Sequence, residues 1–225
     1  MTTQPVFNVR PVGNCLQLVP VPTTPACITQ NQICVQQLQN FLNAIRFGTG
    51  CIPAPADPVD PDFAILIGAG DSDINSDPAF IDPAIDYRNT LILRTFADPT
   101  LATPSAIYNL TQVGFIGIIS QTTATISETQ LQCIINTLTP TFDKCQDLNS
   151  SAAQQIEAAA TSLINPPVPV LILSENTIAG IGSLFIKAVL PGIIIATDTA
   201  TAPYDSVIAY STCYISSIQL LNQIP

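Results

Sequence analysis

The sharpest local pattern of chemically competent side chains is DSDINSDPAFID, from Asp71 to Asp82. Oxygen-bearing groups stand at its alternating positions as Asp71, Asp73, Asn75 and Asp77, with Asp82 closing the stretch. A hard divalent cation takes about six to eight oxygen ligands, and a tight turn gathers them from such alternating positions. Ca2+ is therefore the one cofactor for which the sequence offers ligands. The pattern departs from an ideal calcium loop in three ways. Ser76 stands where a turn glycine belongs, Asp82 is shorter than a bidentate glutamate, and the residues before Asp71 read as strand instead of helix. A solvated acidic turn is the competing reading.

Other chemistry finds less material. The chain has no histidine, which removes Ser-His and Cys-His activation and imidazole metal ligation. Gly68 and Gly70 in LIGAGDSD follow a strand pattern, but the third glycine position of a dinucleotide fingerprint is Asp73, and a row of aspartates repels a pyrophosphate. A glycosidase needs two carboxylates. Asp57, Asp60, Asp62, Asp86, Asp98, Asp198 and Asp205 mostly sit beside proline or in turns, and no tryptophan is present to line a sugar cleft. Lys144 and Lys187 belong to no Ser-Lys motif. The expectation is a protein without catalytic residues.

The seven cysteines are Cys15, Cys27, Cys34, Cys51, Cys133, Cys145 and Cys213, with no CxxC pair to suggest a zinc ribbon or a redox motif. An odd number leaves at least one thiol for another chain once the rest pair in an oxidising setting. Cys15 is the candidate for that intermolecular disulfide. It lies in residues 1–26, where Pro5, Pro11, Pro20, Pro22 and Pro25 exclude a helix and favour an extended arm able to reach a neighbour. Cys34, Cys133 and Cys213 fall in apolar patterns, where the alternative is a buried, reduced cysteine acting as a small hydrophobe.

The elements that must carry these residues follow from hydrophobic period and punctuation. Between Ile28 and Phe47, Cys34, Val35, Leu38, Phe41, Leu42 and Ile45 recur at helical spacing, with Gly48 placed as a C-cap and Gln and Asn on the other face. Ser127 with Gln130, and Ser151 with Gln154, are capping boxes for two more helices, stopped by Pro140 and by Pro166 and Pro167. Strands are expected at residues 63–67, 90–96, 113–120, 169–174, 184–190, 193–199 and 206–215, with a short helix or strand over 217–224. The fold class is α+β, β-rich layers packed with a few amphipathic helices. Cys34 matches Cys133, PDFAILI from Pro61 matches PVLILS from Pro169, and ATPSAIYN from Ala102 matches APYDSVIAY from Ala202. These matches suggest two tandem similar units of about 100 residues, spanning 27–125 and 126–225 behind the arm, with a single domain as the alternative.

Composition sets the partners. Of 225 residues only 10% are charged, the net charge is −10 and the pI about 4.1. Arg10, Arg46, Arg88, Arg94, Lys144 and Lys187 are scattered singly, so nucleic acid and anionic membrane surfaces are excluded as partners. The apolar stretch from Ile178 to Ala196 carries Lys187 and a Pro191-Gly192 turn, which splits it into two buried strands and argues against a membrane span. A surface of neutral polar residues repels copies of itself weakly and is easily desolvated, which suits homopolymer formation. The N-terminus has no basic region followed by an apolar run, so synthesis without a signal peptide is expected. In layout, with few charges and a cysteine in a flexible N-terminal arm, the chain is similar to bacterial surface or spore-appendage subunits. That similarity implies a self-assembling filament, coat or lattice subunit at the cell or spore surface, with disulfide-locked contacts. The alternative is a soluble, cytoplasmic binding module or enzyme using the acidic loop.

Overall fold

A computed structural model of the chain describes residues 7–12, 15–20, 28–55, 62–69, 75–82, 85–98, 103–143, 151–174 and 183–221; for 7–12, 15–20 and 75–78 it gives the backbone path alone. β1 (Phe7–Val12) and β2 (Cys15–Pro20) pair antiparallel as a two-stranded sheet separate from the main one.

α1 (Gln30–Ala44) begins at Thr29, whose side chain accepts from the Gln32 backbone N–H while the Gln32 side chain returns to the Thr29 N–H. Ile33, Leu38, Phe41 and Leu42 are fully buried along one stripe. Gly48 does not cap this helix, which closes at Ile45. Its φ of +71° serves the following turn instead, where its N–H donates to Ile52.

Four strands then form an antiparallel meander: β3 (Phe63–Ala69), β4 (Asn75–Ile81), β5 (Ile92–Phe96) and β6 (Ala106–Asn109). β7 (Val113–Ser120) returns to pair with β3. α2 (Glu128–Thr137) and α3 (Ala152–Thr161) follow, capped by Ser127 and Ser151. The Ser127–Gln130 box is reciprocal, whereas at Ser151 the structure shows its acceptance from the Gln154 N–H. A second meander comprises β8 (Pro169–Ser174), β9 (Leu184–Leu190), β10 (Ile193–Thr197) and β11 (Ser206–Ser211), after which β12 (Ile215–Leu220) returns to pair with β8. β11 pairs with β7, so both runs lie in one ten-stranded sheet of order β12-β8-β9-β10-β11-β7-β3-β4-β5-β6. The architecture is the expected β-rich α+β class.

Three strand expectations need correction. Residues 206–215 are not one strand: the chain turns after Ser211, where the Tyr214 N–H donates back to Ser211 and the Thr212 N–H to Gly192. β4 and β6 have no counterpart among the expected strands. β4 contains Asp77 and Pro78, residues that disfavour strands locally, and is held by its pairing with β3 and β5.

The sheet is buried on both faces at its centre. In β10, Ile193 and Ile195 pack into one apolar cluster with Leu38 and Phe41 of α1 and Leu131 and Ile134 of α2, while Ile194 and Ala196 pack into a second with Ala160 of α3. α1 and α2 thus cover one face and α3 the other. At the β9–β10 turn Gly192 has φ +84°, and a Cβ there would come within 2.8 Å of the Ile33 side chain. Any larger residue would push α1 off the turn.

Candidate functional site

The acidic motif lies only partly within the described residues. Asp71 and Asp73 lie outside the described residues, Asn75 and Asp77 are in strand β4, and Asp82 follows its end. The Asp82 carbonyl accepts from the Tyr87 hydroxyl at 3.3 Å and from the Ile85 N–H at 3.4 Å. Among the described residues no group of three or more acidic, cysteine or histidine side chains converges as a metal site.

Cys15 opens β2, opposite Val12. Cys27 and Cys145 lie outside the described residues. The remaining four cysteines form two disulfides, Cys34–Cys213 with Cα atoms 6.3 Å apart and Cys51–Cys133 with Cα atoms 5.6 Å apart. This corrects the reading of Cys34, Cys133 and Cys213 as reduced hydrophobes: all three are disulfide-bonded, Cys34 buried, Cys213 half-buried and Cys133 exposed on α2. The first bond ties α1 to the turn between β11 and β12, and the second ties the segment after α1 to α2.

Two polar junctions reinforce these staples. The Glu157 carboxylate of α3 accepts from the Gly192 N–H at 2.7 Å, the Thr212 hydroxyl at 2.8 Å and the Gln30 amide at 3.4 Å, joining α3, α1 and two turns beside Cys34–Cys213. Gln37, fully buried on α1, donates to the Thr139 and Pro191 carbonyls and accepts from the Thr139 N–H. Gln30, Gln37 and Gln39 of α1 are thus buried against protein, while Gln32 and Gln36 face out. On the opposite side of α2, the Tyr204 hydroxyl donates to Glu128, and the Lys187 ammonium lies 4.9 Å from the Tyr204 ring centre while donating to the Ala200 carbonyl. Burial and then the Glu128 carboxylate push the Tyr204 phenol up, the Tyr204 hydrogen bond lowers Glu128, and desolvation lowers Lys187. Each polar group here has its charge spent on a structural partner, which makes the cluster a clamp.

A cleft of about 570 Å³ runs beside α1 between Gln32, Gln39, Arg88, Leu91 and Tyr214. Arg88 is engaged by Asp86, whose carboxylate it lowers to about 2. Among the described residues three large apolar side chains stay exposed. Leu91, Ile92 and Ile107 are 54%, 47% and 63% exposed, and all belong to β5, β6 or the residue before β5. They lie at the end of the sheet where, among the described residues, β6 pairs with β5 alone. At the other end, again among the described residues, β12 pairs with β8 alone. Neither AIYN of β6 nor ISSIQL of β12 contains a charged residue or a proline, the usual devices that blunt an open edge. The exposed isoleucines were hidden from sequence reasoning. In ILRTF the outward face can be recognised only once Leu93 and Thr95 are seen to be buried.

No helix among the described residues is long and apolar enough to cross a membrane. No family model, curated protein or solved structure matches this chain, so its function is argued from the geometry of its sheet, its staples and its open edges.

Proposed function

We propose that the chain is a non-enzymatic structural subunit that assembles with copies of itself. The observation that carries this reading is the strand order. Each half runs as a four-strand meander whose fifth strand returns beside the first, in the orders β7-β3-β4-β5-β6 and β12-β8-β9-β10-β11. Two units of one design joined edge to edge inside a single chain are a short assembly already made. The sequence matches at Pro61 and Pro169 fall at β3 and β8, the first strand of each run, and those at Ala102 and Ala202 lead into β6 and β11, the fourth. A chain with few charges, braced by disulfides suited to oxidising surroundings, fits the outside of a cell or spore. Cys15 on the N-terminal segment supplies a covalent link to a neighbour.

Electron microscopy and sedimentation of the purified full chain, with and without reductant, test the reading. Ordered polymers are expected, with Cys15→Ser lowering their resistance to boiling in detergent without reductant. A monomer at every concentration, indifferent to reductant, overturns it.

A further inference from the structure

We infer that copies of the chain join by antiparallel pairing of the β6 edge of one molecule with the β12 edge of the next, in the register of the internal β11–β7 seam. The inference rests on the subunit reading above and names the surfaces it would use. The seam joins the fourth strand of one run, β11, to the fifth strand of the other, β7. The strands left open at the two ends of the sheet are the fourth strand of the first run, β6, and the fifth strand of the second, β12. Bringing them together repeats a junction the chain already makes.

Direction agrees with this. Every neighbouring pair in the sheet is antiparallel. With ten strands the two outermost run in opposite senses, so a second copy in the same orientation meets β6 antiparallel with its β12. Such a contact is heterologous. It leaves one free edge of each kind at the ends, and therefore propagates instead of closing.

Register can be carried over as well. β6 begins at Ala106 and β11 at Ser206, which makes Ile107 the counterpart of Val207. In the first run Ile118 of β7 opposes Ile65 of β3, and in the second Ile218 of β12 opposes Ile172 of β8; with Ile65 of PDFAILI set against Ile172 of PVLILS, a match that skips one residue after Pro61, Ile218 is the counterpart of Ile118. Val207 opposes Ile118 in the seam. The same register between copies sets Ile107 opposite Ile218. Ile107 is the most exposed large apolar side chain among the described residues, and Ile218 is partly buried against the second apolar cluster. Ile107 lies opposite Arg94 and so shares the outward face of β5 with Ile92. The pairing would set Ile107, which the single molecule leaves bare, beside an apolar partner.

The test mixes two full-length single variants, Ile107→Cys and Ile218→Cys, with a short thiol-reactive cross-linker, and identifies linked peptides by mass spectrometry. A link between positions 107 and 218 is expected in the mixture, and none in either variant alone. Alongside it, Ile107→Lys should leave the monomer's unfolding curve unchanged, because the side chain is exposed, while raising the concentration needed for polymer formation roughly tenfold or more. Wild-type polymers with no 107–218 link, with position 107 linked to the N-terminal segment instead, or with an Ile107→Lys variant that polymerises as well, overturn the edge pairing and leave the subunit reading standing. A 107–218 link in the variant mixture, with a wild-type protein that forms no polymer, retains the pairing and removes the subunit reading. Absence of both link and polymer removes both.

Discussion

The β11–β7 seam and the β5–β6 end of the sheet are made of similar strands with opposite fates. β11 is buried along its whole length, while β6 alternates and turns Ile107 to solvent. The seam is covered on one face by α1 and on the other by the cluster that holds Phe115, Ile208 and Tyr210. At the β5–β6 end Leu93 is buried in the α1 cluster and the outward face carries exposed Ile92 and Ile107. The difference lies in what is laid over the strands. A face that is apolar yet uncovered in one molecule is where the proposed pairing between copies would fall.

The largest way to break the contrast is to cut the staple that holds α1 over the seam. Cys34–Cys213 closes a loop spanning 179 residues, and in the chain-entropy picture such a bond contributes about 4 to 5 kcal/mol. Cys34→Ser with Cys213→Ser should lower denaturant stability by several kcal/mol and expose the seam, measured by chemical unfolding and by amide exchange in β10 and β11. Unchanged exchange there would show that α1 is held by packing alone. Truncation comes next. Ile118→Ala in the seam should cost about 2 to 5 kcal/mol, the range for a buried Ile, while Ile107→Ala should change monomer stability by less than about 0.5 kcal/mol. Equal costs at the two sites would erase the distinction between seam and edge.

This contrast was only partly legible in the sequence. β7, β8 and β9 could be bounded because Gly, Pro and Ser punctuate mostly apolar runs, interrupted in β9 by Lys187, and the Pro191-Gly192 turn between β9 and β10 announces itself by composition. β4 could not, because its strand character comes from hydrogen bonds to β3 and β5 while its own residues include Asp77 and Pro78. The break after Ser211 has no glycine or proline to mark it. It is fixed by the bond from Cys213 to Cys34 and by the Thr212–Glu157 contact, partners on distant helices. Metal-like spacing at Asp71 was visible at once, whereas the exposed Ile107 was not, since exposure is a property of the assembled sheet.

A smaller effect tests how the outer half is attached. Tyr87 is fully buried, donates its N–H to the Asn43 side-chain oxygen of α1, and donates its hydroxyl to the Asp82 carbonyl. Burial raises its phenol from 10.0 to about 12, with the Asp82 charge adding to the shift. A raised value means the folded state holds the proton more tightly, so this stability is full below pH 10 and is lost as pH rises toward about 12. Tyr87→Phe should flatten that alkaline loss in a pH series of urea unfolding curves, at a cost of about 1 kcal/mol at neutral pH for the missing hydrogen bond. An unaltered alkaline limb would show that Tyr87 does not govern it.

The smallest expected effect concerns a device present at the seam and missing at the edge. Just before β11, Tyr204 exchanges backbone hydrogen bonds with Ile126 and donates its hydroxyl to Glu128 at the start of α2. The position equivalent to Tyr204 before β6 is Pro104, which has neither a hydroxyl nor a backbone N–H. The hydrogen bond from Tyr204 lowers the Glu128 carboxylate, so the clamp is intact above the usual carboxylate range and is lost as pH falls through the lowered value. Glu128 is exposed, and solvent screening holds the contribution to under about 1 kcal/mol. Glu128→Gln should therefore take a small part out of the acid limb of stability while leaving assembly through β6 and β12 untouched, because the clamp secures the seam from within the molecule. If the variant instead altered polymer formation at neutral pH without changing monomer stability, α2 would itself be a contact between copies, and the separation of seam from edge would have to be redrawn.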